Sequence, residues 1–72
     1  METFSERLKA ERRSKGFSQK DMALKLNIPY GAYKNYELLG TKNGREPPFE
    51  IVCKIADILE VSTDYLFGRI EY

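Results

Sequence analysis

Three residues, Asn27 to Pro29, are all that separate two stretches of helical periodicity. So short a connection cannot fold two helices back antiparallel; they cross steeply, and the second projects from the body. Before the connection, Ser18 with Asp21 three residues later has the form of a capping box. Met22, Ala23 and Leu26 then make one apolar face, which predicts a helix over about residues 18–26. Asn27 suits the left-handed backbone of a helix stop, and Pro29 is pre-shaped for the start of the next helix. Ala32, Tyr33 and Tyr36 recur at helical spacing and predict a helix over about residues 30–38.

The rest of the chain reads the same way. Thr3 with Glu6 fits a second capping box, and Phe4, Leu8 and Arg12 follow along one helical line. That helix spans about residues 4–15 and stops at Gly16, where a left-handed residue costs little. Gly40 to Pro48 holds two glycines and two prolines in nine positions, which marks a loop. From Phe49 the pattern Phe49, Val52, Ile55/Ala56, Leu59 restores the 3.6-residue period over residues 49–59. Ser62 caps a short fifth helix over residues 63–67, ended by Gly68. No segment alternates like a strand. The expected fold is all-α, a compact five-helix bundle forming a single domain over residues 1–72.

Composition excludes several function classes. No apolar run approaches the roughly 18–20 residues that span a bilayer, and residues 1–15 lack the apolar stretch of a signal peptide, so a cytoplasmic setting is expected. There is one cysteine, Cys53, and no histidine, which excludes an intramolecular disulfide and a cysteine–histidine zinc site. No phosphate-binding glycine loop and no paired-carboxylate motif is visible, so neither an enzyme nor a cofactor, metal or small-molecule ligand is expected. Net charge is only +1, but it is unevenly spread. Residues 1–36 carry eight Lys/Arg against four Asp/Glu, a balance of +4, and residues 37–72 carry four against seven, a balance of −3. One end can therefore present a basic face, although scattered charge serving solubility gives the same totals.

Steeply crossing helices with the second one projecting are the helix-turn-helix arrangement, and such a helix fits the major groove of B-DNA, about 12 Å wide. The run Ser18-Gln19-Lys20-Asp21-Met22-Ala23-Leu24-Lys25-Leu26 resembles the second helix of the phage repressor and Cro (Xre-like) family. The resemblance continues through Tyr36-Glu37, Pro47-Pro48-Phe49-Glu50, and Lys54 to Ser62, and it closes with Asp64-Tyr65-Leu66-Phe67-Gly68. It covers about residues 4–68. It implies a five-helix fold whose third helix reads base edges, in proteins that usually bind operators as homodimers.

Carried onto this sequence, the resemblance makes Tyr30, Gly31, Lys34 and Asn35 the candidates for base contact, on the face opposite Ala32, Tyr33 and Tyr36. Asn pairs bidentately with adenine and Lys donates to guanine. Ser18, Gln19 and Lys20, where backbone N–H groups are free to meet an anion, are phosphate candidates, and Gln19 can instead help position helix three. Lys42, Asn43 and Arg45 in the loop are also phosphate candidates. Arg12 and Glu37 stand where family members often pair an arginine with a glutamate, which implies a partly buried ion pair. Three departures stand out: Asn27 replaces the usual glycine in the turn, the start of helix three is poor in long polar side chains, and the loop after it is long.

The leading expectation is a sequence-specific transcriptional regulator, a repressor binding double-stranded DNA as a homodimer on an inverted repeat. The alternative is a protein-interaction module, an antitoxin or anti-repressor partner, that uses DNA little. Near-neutral charge and the apolar tail of Phe67, Ile70 and Tyr72 favour the alternative, and the same tail serves equally as a dimer surface. Because no effector domain is visible in these 72 residues, any dimer is expected to use the domain itself.

Overall fold

Thr3 opens α1 (Phe4–Ser14) in the computed structural model, which describes residues 3–70. Its hydroxyl accepts from the Glu6 N–H at 3.3 Å, and the Glu6 carboxylate accepts from the Thr3 N–H at 2.8 Å. Two of the orphan donors at the helix start are thereby satisfied. Ser18 and Asp21 close the same reciprocal pair at 3.0 and 2.8 Å before α2 (Gln19–Leu26). α3 (Tyr30–Tyr36) follows the tight turn, then α4 (Phe49–Leu59) and α5 (Thr63–Leu66), the last capped by the Ser62 hydroxyl. No strand occurs among the described residues.

The stops are mostly left-handed. Gly16, Asn27 and Gly68 all have φ between 56° and 78°, as their residue types invite. Glu60, at the end of α4, adopts φ 58° without that excuse. Its side chain is held by Lys15 at 2.7 Å, so α4's end is tied to α1's.

The core is one cluster drawn from all five helices: Phe4 and Leu8, then Met22, Ala23 and Leu26, then Tyr33, then Ile55, Ala56 and Leu59, then Leu66. Burying each large member contributes roughly 1.5–3 kcal/mol against leaving it in water. Two polar links reach beyond this cluster. The Ser5 hydroxyl donates to the Leu39 carbonyl, and buried Arg7 donates to the Tyr65 and Ile70 carbonyls while lying over the Tyr65 ring. They fasten α1 to both ends of the C-terminal half.

Several helix ends differ from the sequence expectation. α1 stops at Ser14 rather than residue 15, Ser18 is a cap outside its helix, and α5 stops at Leu66 rather than Phe67. α3 stops at Tyr36, two residues before the expected Leu38. There the N–H groups of Leu38 and Leu39 reach back only three residues, to Asn35 and Tyr36, so the chain tightens out of the α-helical register. Phe49 completes the apolar period of α4 on paper, yet it is 78% exposed at the helix's first position. Tyr36 is half-buried against the core. Phe67 stacks on Phe4 with ring centroids 5.0 Å apart while remaining half-exposed, and Ile70 is exposed. Tyr72 lies outside the described residues.

Candidate nucleic-acid interface

The orientation of α3 is set by one carboxylate. Glu37, the residue that caps α3's end, is buried and accepts from three helices at once. Arg12 of α1 grips it with two donors, Nε at 2.6 Å and Nη2 at 3.1 Å, while its Nη1 donates to the Phe17 carbonyl at 2.9 Å. Gln19 of α2 donates its amide to Glu37 at 2.9 Å, and the fully buried Tyr33 of α3 donates its hydroxyl. A forked arginine on a carboxylate fixes angle as well as distance. The side chain of Gln19 is thus engaged in positioning α3.

Burial pushes the Glu37 carboxyl up, but the hydrogen bonds from Arg12, Tyr33 and Gln19 outweigh it and hold the group below its ordinary value of 4.5. Burial, and then the bond to Glu37, push the Tyr33 hydroxyl up, so it stays a donor at every physiological pH. The bond to Glu37 also raises Arg12. A carboxylate depressed on folding adds stability above its unfolded pKa, and that share is lost as pH falls through the folded value. Urea midpoints of the wild type are therefore expected to drop steeply below about pH 4.5. Glu37→Gln should flatten that drop, leaving the weaker contribution of the exposed carboxyls of Glu6, Asp21 and Glu60, which are also lowered. An unchanged pH profile in the variant rules out this role for Glu37.

With its inner face committed, α3 turns Tyr30, Gly31 and Lys34 outward, and Asn35 is half-buried beside them. The Tyr30 ring has two ammonium groups over it, Lys20 at 5.5 Å and Lys34 at 5.3 Å from its centroid, within cation–π range. Its hydroxyl also approaches Gln19 Oε1 at 3.5 Å. A Cβ added at Gly31 would meet nothing within 4 Å.

The loop after α3 is folded back onto the end of that helix. The Arg45 N–H donates to the Asn35 carbonyl at 3.0 Å, and the Thr41 hydroxyl donates to the Leu38 carbonyl at 2.7 Å. Gly44 makes this possible, because any Cβ there would overlap the Leu38 carbonyl and come within 2.6 Å of the Leu39 Cα. Exposed Lys42, Asn43 and Arg45 are thus held next to the C-terminal end of α3. Gly44→Ala is expected to cost about 1–3 kcal/mol, as overpacking against backbone does. Gly31→Ala, in open space within a helix, should gain up to about 1 kcal/mol. Urea melts of the two variants check both signs.

Beside α3 lies a groove of about 500 Å³ lined by Lys9, Arg12, Arg13, Ser18, Gln19, Lys20, Tyr30 and Glu37. Sequence reading named all of these except Lys9 and Arg13. Their i, i+4 spacing on α1 was the available signal, but surface cations on a helix read as solvated charge.

The α2–turn–α3 pair, clamped from α1 and flanked by a basic groove, defines a helix-turn-helix domain. A helix-turn-helix family profile matches residues 8–66. The HTH-type transcriptional regulator ImmR of Bacillus subtilis is 38% identical over 69 residues, which covers 96% of this chain and 51% of that protein. The uncharacterized HTH-type transcriptional regulator YqaE of the same organism is 46% identical over 63 residues, covering 88% of this chain and 51% of its own. The SPbeta prophage-derived uncharacterized HTH-type transcriptional regulator YonR of that organism is 44% identical over 63 residues, covering 88% and 55%. The chain thus spans about half the length of these relatives. No solved structure gives a significant match. The chain belongs to the Xre-like helix-turn-helix family.

Proposed function

We propose that the chain is the sequence-reading domain of a DNA-binding transcriptional regulator, a repressor that occupies an inverted-repeat operator as a homodimer. The observation that carries this reading is the division of α3. Tyr33 and Glu37 lock it to α1 and α2, while Tyr30, Gly31 and Lys34 are exposed and Asn35 is half-buried beside them. Under this reading Tyr30, Lys34 and Asn35 meet base edges, with Gly31 letting the helix approach closely. The backbone N–H groups at Ser18, Gln19 and Lys20, and the loop residues Lys42, Asn43 and Arg45, meet phosphates. Exposed Phe67 and Ile70 supply an apolar surface for the second copy. The printed descriptions of the three relatives, all HTH-type transcriptional regulators, support the regulatory role.

Selection from a random duplex pool tests it. The enriched site should contain an inverted repeat with half-site centres about 10–10.5 base pairs apart. Affinity should fall with salt at a log–log slope of about −0.9 per phosphate engaged. A single unrepeated element would sink the dimer, and no enrichment by folded protein would sink the DNA reading.

The protein-interaction reading has one observation of its own. Leu24 is 79% exposed and borders an apolar groove of about 280 Å³ with Ala23, Ile28 and Tyr30. Failure of selection with the fold intact would favour that reading.

A further inference from the structure

We infer that Asn43 is a modification site: its side-chain amide is lost spontaneously by cyclisation onto Gly44, and the negative charge left behind loosens the loop's hold on a duplex. The chemistry stands on the loop alone. Its effect on DNA rests on the phosphate contacts proposed above for Lys42, Asn43 and Arg45.

The reaction needs an asparagine whose amide carbon the next residue's backbone nitrogen can reach. Asn27 precedes β-branched Ile28, whose N–H donates to the Ala23 carbonyl at 3.0 Å. Asn35 is half-buried within α3, ahead of the bulky Tyr36. Asn43 alone is exposed, outside every helix and followed by a residue with no side chain to hinder the approach. It sits in the turn over residues 41–44, which the Gly44 N–H closes on the Thr41 carbonyl at 3.1 Å. Opening that one bond frees the attacking nitrogen. Glycine is also the residue the fold demands at this place, because any Cβ on Gly44 would overlap the Leu38 carbonyl. The packing of the loop thus keeps the reactive pair together.

Water is the only co-reactant. The Gly44 nitrogen gives up its proton and bonds to Asn43 Cγ, the Cγ–Nδ2 bond breaks, and ammonia leaves with that proton. Water then opens the cyclic imide. Breaking the new bond leaves an aspartate at position 43; breaking the original peptide bond leaves an isoaspartate, with the chain rerouted through Cγ. Either product is an anion. Residues 40–48 carry Lys42 and Arg45 against Glu46, a balance of +1, and the change takes it to 0. The new carboxylate competes for the cations that a duplex would use, and it repels the phosphates themselves. The isoaspartate also adds a backbone carbon ahead of Gly44, which disturbs the seat of Gly44 against Leu38 and the bond from the Arg45 N–H to the Asn35 carbonyl. Asn43 takes no part in the core, so the domain stays folded while its grip on DNA declines. A bound duplex covers the loop, so the free protein ages faster than the bound one.

The test is timed incubation of the full folded chain in mildly alkaline buffer, with and without a selected duplex. Peptide mass mapping reads the amides, and fluorescence anisotropy across salt concentration reads the binding. Amide loss is expected at Asn43, into both acid products, and more slowly with the duplex present. The aged protein should show a salt slope shallower by about 0.9, the value of one phosphate, with its preferred sequence unchanged. Freshly made Asn43→Asp should show the same shallower slope. Asn43→Gln, whose longer side chain cyclises far more slowly, should not change on ageing when compared with its own fresh sample. An amide at Asn43 that survives in the folded chain but is lost from the chain unfolded in urea overturns the inference, because the turn then shields it. Equal loss at Asn27 and Asn35 overturns it too. Loss at Asn43 with an unaltered slope, in the aged protein and in Asn43→Asp alike, overturns the effect on DNA. Failure of fresh wild type to bind any duplex at low salt is a different result: it removes the DNA reading, and the mass map alone then decides the modification.

Discussion

Glu37→Ala is expected to cost about 3–5 kcal/mol of folding stability, the range for removing one partner of a buried ion pair. The change strands Arg12, whose Nε and Nη2 both lose their acceptor within a side chain that is only 9% exposed. It also strands the Tyr33 hydroxyl inside the core, and the Gln19 amide beside it. At about 0.05–0.15 kcal/mol per residue, a chain of 72 residues has a total stability of about 4–11 kcal/mol. The variant should therefore be partly or wholly unfolded at 37 °C, visible as lost helical ellipticity. Arg12→Ala should behave alike, and the double variant should lose less than the two singles summed, since each single already breaks the same contact. A loss below about 1 kcal/mol would mean the pair behaves like a solvated surface bridge.

Lys34→Ala/Asn35→Ala is expected to abolish sequence selection while leaving the fold intact. A good bidentate base contact discriminates by about 1–3 kcal/mol, so two are together about 2–6 kcal/mol, at least roughly thirtyfold between the operator and unrelated duplexes. Neither side chain belongs to the core, so melting should be nearly unaffected. Lys42→Ala/Arg45→Ala makes the comparison decisive. It should weaken binding to every duplex alike and make the salt slope shallower, because phosphates carry no sequence. Equal uniform loss in both variants would show that the base and phosphate candidates have been sorted wrongly.

How much of this was legible in the sequence depended on whether a feature was local. Thr3 with Glu6 and Ser18 with Asp21 announce their helix starts because the partner is three residues away. Gly16 and Asn27 announce stops because their own backbone preferences decide the matter. The end of α3 did not show, since Leu38 and Leu39 prolong its apolar pattern. The cause lies six to ten residues further on, where Gly44 and Arg45 fold onto the Leu38 and Asn35 carbonyls. Glu60 hid its left-handed backbone for a similar reason, its anchor Lys15 being 45 residues away. Phe49 read as core because periodicity gives a face but not whether anything covers its end. At the site, the Arg12–Glu37 pairing was suggested by family resemblance, while the recruitment of Gln19 and Tyr33 to the same carboxylate required coordinates. Lys9 and Arg13 became interesting only once a groove lay between them and Tyr30.

The open space at Gly31 has a practical meaning. Glu37 makes the frame of the domain a fixed mount, which Tyr30 approaches through Gln19 but which Gly31 leaves untouched. Position 31 is a vacant socket on that mount, one where a side chain can be installed without displacing a neighbour. On the proposed DNA reading, asparagine, glutamine or arginine placed there would add a base-reading group in exchange for the close approach that Gly31 permits. On that reading the domain is a scaffold whose target is set at Tyr30, Gly31, Lys34 and Asn35, with position 31 still blank.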